Sequence, residues 1–108
     1  LLAELPGEQL VRLAERMRRE DVAGGDAPIV EGEEGDRFYV ILNGLFAVSN
    51  FGTLPRRMLR PGDYFGEVAL AMNIPRTANV RALTPSTVAS CDKQTFDELI
   101  RPLFADDA

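Results

Sequence analysis

The chain has 108 residues, 45% apolar and 27% charged, with a formal net charge of −5. That length suits one compact domain, and the acidic balance argues against a general nucleic-acid surface. There is no His and only one Cys, which removes the usual general base, imidazole metal sites, internal disulfides and cysteine metal clusters, and with them the common routes to hydrolytic or metal-dependent catalysis.

No apolar run reaches membrane-spanning length and nothing resembles a signal peptide, so the expectation is a non-inserting domain in the cytoplasm, on its own or facing it from a membrane-bound parent. The chain opens at Leu1 without an initiating Met, which points to a piece of a longer protein. We read residues 1–108 as a single domain: an N-terminal helical segment over 1–20, a β-barrel over 21–91 and a C-terminal helix over 92–104.

Residues 8–20 read as an amphipathic helix, with Leu10, Leu13, Ala14 and Met17 at helical spacing after Pro6-Gly7. Arg12, Arg16, Arg18 and Arg19 interleave with Glu15, Glu20 and Asp21, a solvated face rather than a basic patch. After Asp21 the period becomes strand-like. A short strand around Val22 is followed by a second at Pro28-Ile29-Val30. The turn after it carries Glu33, Glu34 and Asp36, read as solvent-facing acids because their spacing does not fit a calcium loop.

Residues 37–42 are β-rich and end in Asn43-Gly44, a hairpin signal, with 45–49 as the expected partner strand. A loop over 50–55, a strand at 57–59 and a turn at Pro61-Gly62-Asp63 lead to a strand around Tyr64-Phe65. Strands over 79–83 and 87–91 bring the total to eight. Short strands with regular turns and one helical insertion predict an eight-stranded antiparallel jelly-roll barrel. Cys91 lies in an apolar strand and reads as a buried, inert thiol. Asp92 caps a last helix whose stripe is Phe96, Leu99, Ile100 and Leu103; Pro102 should end or bend it near Arg101. The tail 105–108 is expected to fray.

The stretch from Phe65 to Val80 carries the chemistry. Gly66 permits close backbone approach, and a short helical turn after it would present free N–H groups and a dipole that favour an anion. Arg76 supplies a permanently charged fork suited to two phosphate oxygens. Glu67 is acceptor-only when ionised and suits a sugar hydroxyl. An anion site beside a hydroxyl acceptor reads as a nucleotide pocket. The bland alternative is a surface Glu and Arg flanking a loop, or a structural ion pair between them.

Phe65-Gly66-Glu67-x-Ala69-Leu70, followed by Pro75-Arg76-Thr77-Ala78, resembles the phosphate-binding cassette of cyclic nucleotide-binding domains. That family includes regulatory subunits of cyclic-nucleotide-dependent kinases, bacterial catabolite activator proteins and cyclic-nucleotide-gated channels. The resemblance, which runs from about Val22 to Leu103, implies the jelly-roll fold with a short helix in the cassette. It implies that Arg76 pairs with the exocyclic phosphate oxygens and Glu67 accepts from the ribose 2′-hydroxyl, with Gly66, Val68, Ala69, Thr77 and Ala78 completing the cradle. Thr77 and Arg57 stand where cGMP-selective members contact guanine, although a Thr there also serves phosphate in cAMP-binding members; cAMP is preferred over cGMP. Members usually cap the base from a further helix. Leu103 and Phe104 are the candidates in this chain, the other sources being a further part of the protein or a neighbouring subunit.

The expected function is a non-catalytic regulatory sensor with no cofactor or metal, whose ligand is cAMP or cGMP. It would relay binding to an effector domain through its C-terminal helix and make no nucleic-acid contact itself, with a homodimer through the parent protein as a further option. The alternative is a nucleotide-free barrel acting as an interaction or dimerisation scaffold. A cupin-type enzyme fails on the missing His.

Overall fold

The strand Arg37–Asn43, β2, is buried on both faces, and the fold is arranged to cover each of them. In the computed structural model, which describes residues 5–50 and 57–104, Tyr39 and Ile41 of β2 face one apolar cluster while Phe38 and Val40 face another. This is the period-two alternation of a strand with no wet side.

The described elements run α1 (Gly7–Arg16), β1 (Arg18–Val22), β2, β3 (Phe46–Ser49), β4 (Arg57–Leu59), β5 (Tyr64–Phe65), α2 (Glu67–Met72), β6 (Asn79–Ala82), β7 (Ser86–Asp92) and a C-terminal helical segment, 93–104. One antiparallel sheet has the order β1-β7-β2-β5 and the other β4-β3-β6. The first cluster fills the space between the sheets, with Tyr39, Ile41, Phe65 and Val88 from one and Phe46, Val48, Leu59, Val80 and Ala82 from the other. The second cluster joins the outer face of the larger sheet to the helices through Phe38, Val40, Cys91, Leu13, Leu70, Phe96, Leu99 and Ile100.

The expected eight-stranded closed barrel does not form: the described residues hold seven strands in two separate sheets. The missing strand is Pro28-Ile29-Val30, which makes one bridge, Ile29 to Val80. Pro28 has no N–H to give a ladder, and turns crowd the segment on both sides.

The first helix is shorter than the expected 8–20. Met17 is extended (φ −81°, ψ 143°), and residues 18–22 pair antiparallel with β7 over five positions. Strand pairing overrides local helix preference here, and of the expected stripe only Leu13 is fully buried. Asn43-Gly44 is likewise not a hairpin between paired strands. Both edges of β2 are taken, by β7 and β5, so β3 must enter the other sheet. Gly44 turns this corner at φ 95°.

The C-terminal segment starts as foreseen, with the Asp92 carboxylate accepting the Thr95 N–H at 2.8 Å. Where an end or bend near Arg101 was expected, the segment continues with an irregular turn. A π-helical turn over Phe96–Ile100 precedes an α-helical turn over Arg101–Phe104. The Arg101 N–H reaches back to the Phe96 carbonyl, and this wider spacing lets the chain pass Pro102 without breaking. Residues 51–56 and 105–108 lie outside the described residues, and with them most of the loop expected over 50–55 and the tail expected to fray.

Gly44 gives a direct test of the corner. A Cβ there would stand 2.0 Å from Ser86 Oγ and 2.8 Å from Ser86 Cα. With the left-handed φ added, Gly44→Ala should destabilise the fold by at least about 2 kcal/mol, lowering the unfolding midpoint by roughly 8 °C or more. Thermal unfolding of the two proteins checks this.

Candidate functional site

Gly66 and Asn73 bracket α2, both in the left-handed region at φ 92° and φ 56°. The first starts the helix where a side chain would be strained, and the second, followed by Pro75, ends it. Between them Ala69 and Leu70 are buried and Val68 and Met72 exposed.

The chain then returns past the acidic turn, and Arg76 is fastened to it. The Arg76 N–H donates to the Glu33 carbonyl at 2.8 Å, and its own carbonyl accepts from Gly32 N–H at 2.9 Å. The residue is 7% exposed. The guanidinium donates to the Gly66 carbonyl through Nη1 and to the Arg37 carbonyl through Nη2, each at 2.9 Å. Those bonds use two of its five N–H groups, leaving the others uncommitted among the described residues.

Gly35 makes this position possible. A Cβ on it would lie 2.6 Å from both Cζ and Nε of Arg76. Its φ is not positive, so glycine is needed here for space and not for backbone freedom. Arg37, whose carbonyl holds Arg76, is itself fixed. Its Nε donates to Ser90 Oγ at 3.0 Å, and Ser90 in turn donates to the Glu20 carboxylate.

A cavity of about 340 Å³ opens beside this arrangement, within the range of small-molecule sites. Gly66, Glu67, Val68, Ala69, Arg76, Thr77 and Ala78 all line it, as does Arg57 from β4. Leu103 and Phe104 do not. They pack against the second cluster, with the Phe104 ring 5.9 Å from Tyr64 and 6.1 Å from Phe96. The apolar walls are Ile29, Val48, Phe65 and Val80, of which sequence reasoning assigned Ile29 and Val48 only to strands. Period-two patterning marks them as inward-facing but cannot say that they border a cavity. Gly35 and Arg37 were missed as well, because their roles lie in a clash and a carbonyl that no motif encodes.

Arg76 and Glu67 are not an ion pair, since the guanidinium bonds are to backbone carbonyls. Burial lowers the Arg76 pKa, and the neighbouring Tyr39, Asp36 and Glu67 counter it. Burial also raises the Tyr39 phenol above its ordinary value. At neutral pH the cavity therefore holds a fixed cation. The Glu67 carboxylate lines the same cavity and forms no ion pair or hydrogen bond with another described residue. Cys91 takes no part. It is fully buried against the helices, and burial pushes its thiol up to about 11. Among the described residues no group of three or more His, Cys, Asp or Glu could hold a metal ion. No described helix is long and apolar enough to cross a membrane.

The sequence pattern of the cyclic nucleotide-binding domain matches residues 19–102. The chain belongs to the cyclic nucleotide-binding domain family. This cyclic nucleotide-binding domain is similar to a cAMP-dependent protein kinase regulatory subunit of Debaryomyces hansenii, 39% identical over 102 residues that cover 94% of this chain and 23% of that protein. The chain thus spans about a quarter of the length of the curated relatives it matches. Its fold is similar to the regulatory domain of Toxoplasma gondii protein kinase A with cAMP, at TM-score 0.88 and 30% identity over 96% of this chain and 43% of that one. It is also similar to the regulatory subunit of a cAMP-independent protein kinase A from Trypanosoma brucei, at TM-score 0.91 and 26% identity over 96% of this chain and 38% of that one.

In this domain Gly35→Ala should drive the Arg76 guanidinium off its two carbonyls. The expected loss is about 1–3 kcal/mol of stability, measured by denaturant unfolding. An unchanged midpoint would show that the guanidinium does not depend on the space left by Gly35.

Proposed function

We propose that this domain is a non-catalytic sensor that binds a cyclic nucleotide, cAMP in preference to cGMP, in the cavity beside α2. One observation carries the reading: a nearly buried guanidinium, anchored by backbone carbonyls with donors to spare, lines the same cavity as a carboxylate that forms no ion pair or hydrogen bond among the described residues. A monoanionic cyclic phosphate suits the first and a ribose 2′-hydroxyl the second. In this reading Arg76 takes the exocyclic oxygens, Glu67 the sugar, and backbone groups of Gly66, Val68, Ala69, Thr77 and Ala78 complete the cradle.

The preference for cAMP draws support from relatives described as cAMP-dependent kinase regulatory subunits. Arg57, the candidate guanine contact, is exposed at the rim. Leu103 and Phe104 would have to leave the second cluster to cap a base. The C-terminal helical segment reports occupancy to an effector, for which those relatives make a protein kinase the leading candidate. A second reading, a scaffold without nucleotide, is kept alive by the likeness to a cAMP-independent kinase regulatory subunit.

Calorimetry with cAMP separates the two readings. Removing one partner of a desolvated charge pair costs roughly 2–5 kcal/mol, so Arg76→Ala should weaken binding about 30-fold to several-thousand-fold. No binding by the wild type would favour the scaffold, and equal binding by both proteins would remove Arg76 from the site.

The sugar contact is tested independently. A hydrogen bond to a charged acceptor contributes about 1.5–3 kcal/mol, so 2′-deoxy-cAMP should bind roughly tenfold or more weakly than cAMP. Glu67→Gln should narrow that gap. Equal affinity of the wild type for both ligands would show that Glu67 is not the ribose contact.

A further inference from the structure

We propose that Arg101, which does not line the cavity, is a positioning residue for it. By bonding the C-terminal carbonyls of α2, Arg101 holds that helix in the shape its cavity-lining residues need. The inference rests on the reading of the cavity as a cyclic-phosphate site.

The last carbonyls of α2 lack their ordinary helical partners. Ala71 would be served by the N–H of residue 75, which is Pro75 and has none. Leu70 would be served by Ile74, whose N–H goes instead to the Ala69 carbonyl at 3.1 Å. Arg101 supplies both. Its Nη1 donates to the Ala71 carbonyl at 2.6 Å and its Nη2 to the Leu70 carbonyl at 2.5 Å. A cation is also the charge that the C-terminal end of a helix favours.

The arginine is held in turn. Its Nε donates to Asp97 Oδ1 at 2.9 Å, and its guanidinium lies 5.8 Å from the Phe96 ring centroid. Asp97 itself is held by Lys93 at 3.0 Å. The fork is thus aimed from the C-terminal helical segment, about thirty residues along the chain from the carbonyls it meets.

With six residues, α2 is too short to be stable on propensity alone. Its geometry comes from its contacts. Glu67, Val68 and Ala69 line the cavity one turn before the carbonyls that Arg101 holds. Whatever loosens one end of so short a helix reaches the other. Ordering of α2 by Arg101 and ordering by a ligand therefore reinforce each other, and each should strengthen the other by the same factor.

The test uses wild type, Arg101→Gln and Arg101→Lys, with two readouts: calorimetry with cAMP, and amide hydrogen exchange of the ligand-free protein. Arg101→Gln should weaken cAMP binding about three- to tenfold and speed exchange in α2, leaving the β2–β7 ladder as protected as in wild type. Arg101→Lys, a cation without the fork, should recover part of both. Unchanged affinity and unchanged α2 exchange in Arg101→Gln would overturn the proposal. So would faster exchange across the whole sheet with unchanged affinity, which marks a general stabiliser. If wild type binds no cAMP, the site reading falls, and α2 exchange still decides whether Arg101 positions the helix.

Discussion

A guanidinium that is almost out of water must find acceptors, and the Arg76 side chain finds them in the protein's own backbone. Much of the surrounding structure answers to that need. The carbonyls of Gly66 and Arg37 must converge on one fork, so the cassette and the start of β2 are tied together. The turn 32–35 must approach closely enough to bond the Arg76 main chain, and it does so with a glycine where a methyl group would collide with the guanidinium. The acids of that turn stay at the surface, where Asp36 still supports the positive charge.

The two core clusters place this arrangement where it can be used. β2 carries one face to each cluster, and α2 hangs from the second. Leu70 is sunk into the cluster beneath the helices, while Val68 and Ala69 border a cavity walled by inter-sheet residues. A change in α2 is therefore felt on the helical side through packing and polar contact alike. The Arg101 fork is the polar part of that connection, and Phe96, Leu99 and Ile100 are the apolar part.

The fold does not by itself choose a ligand. A domain of closely similar shape is found in a kinase regulatory subunit described as cAMP-independent. What this chain brings to one cavity is a fixed cation with spare donors and a carboxylate that meets no ion-pair or hydrogen-bond partner among the described residues.

Much was legible in the sequence because it depends on residue type at short range. Gly66, Glu67, Arg76 and their small neighbours read as parts of one site, and all seven cassette residues singled out do line one cavity. The Asp92 cap and the Phe96, Leu99, Ile100 stripe follow from local chemistry in the same way. Tertiary structure decided what depends on partners distant in the chain. Residues 18–20 joined the strand expected around Val22 because β7 offered an edge, although their own pattern continued a helix. Asn43-Gly44 became a corner because both edges of β2 were occupied. Gly35 and Arg101 looked like an ordinary turn glycine and helix arginine, for nothing near them in sequence shows that one must clear a guanidinium and the other must serve two orphaned carbonyls. Local patterns carry propensity and chemistry, whereas steric exclusion and the satisfaction of buried polar groups exist only once distant segments meet.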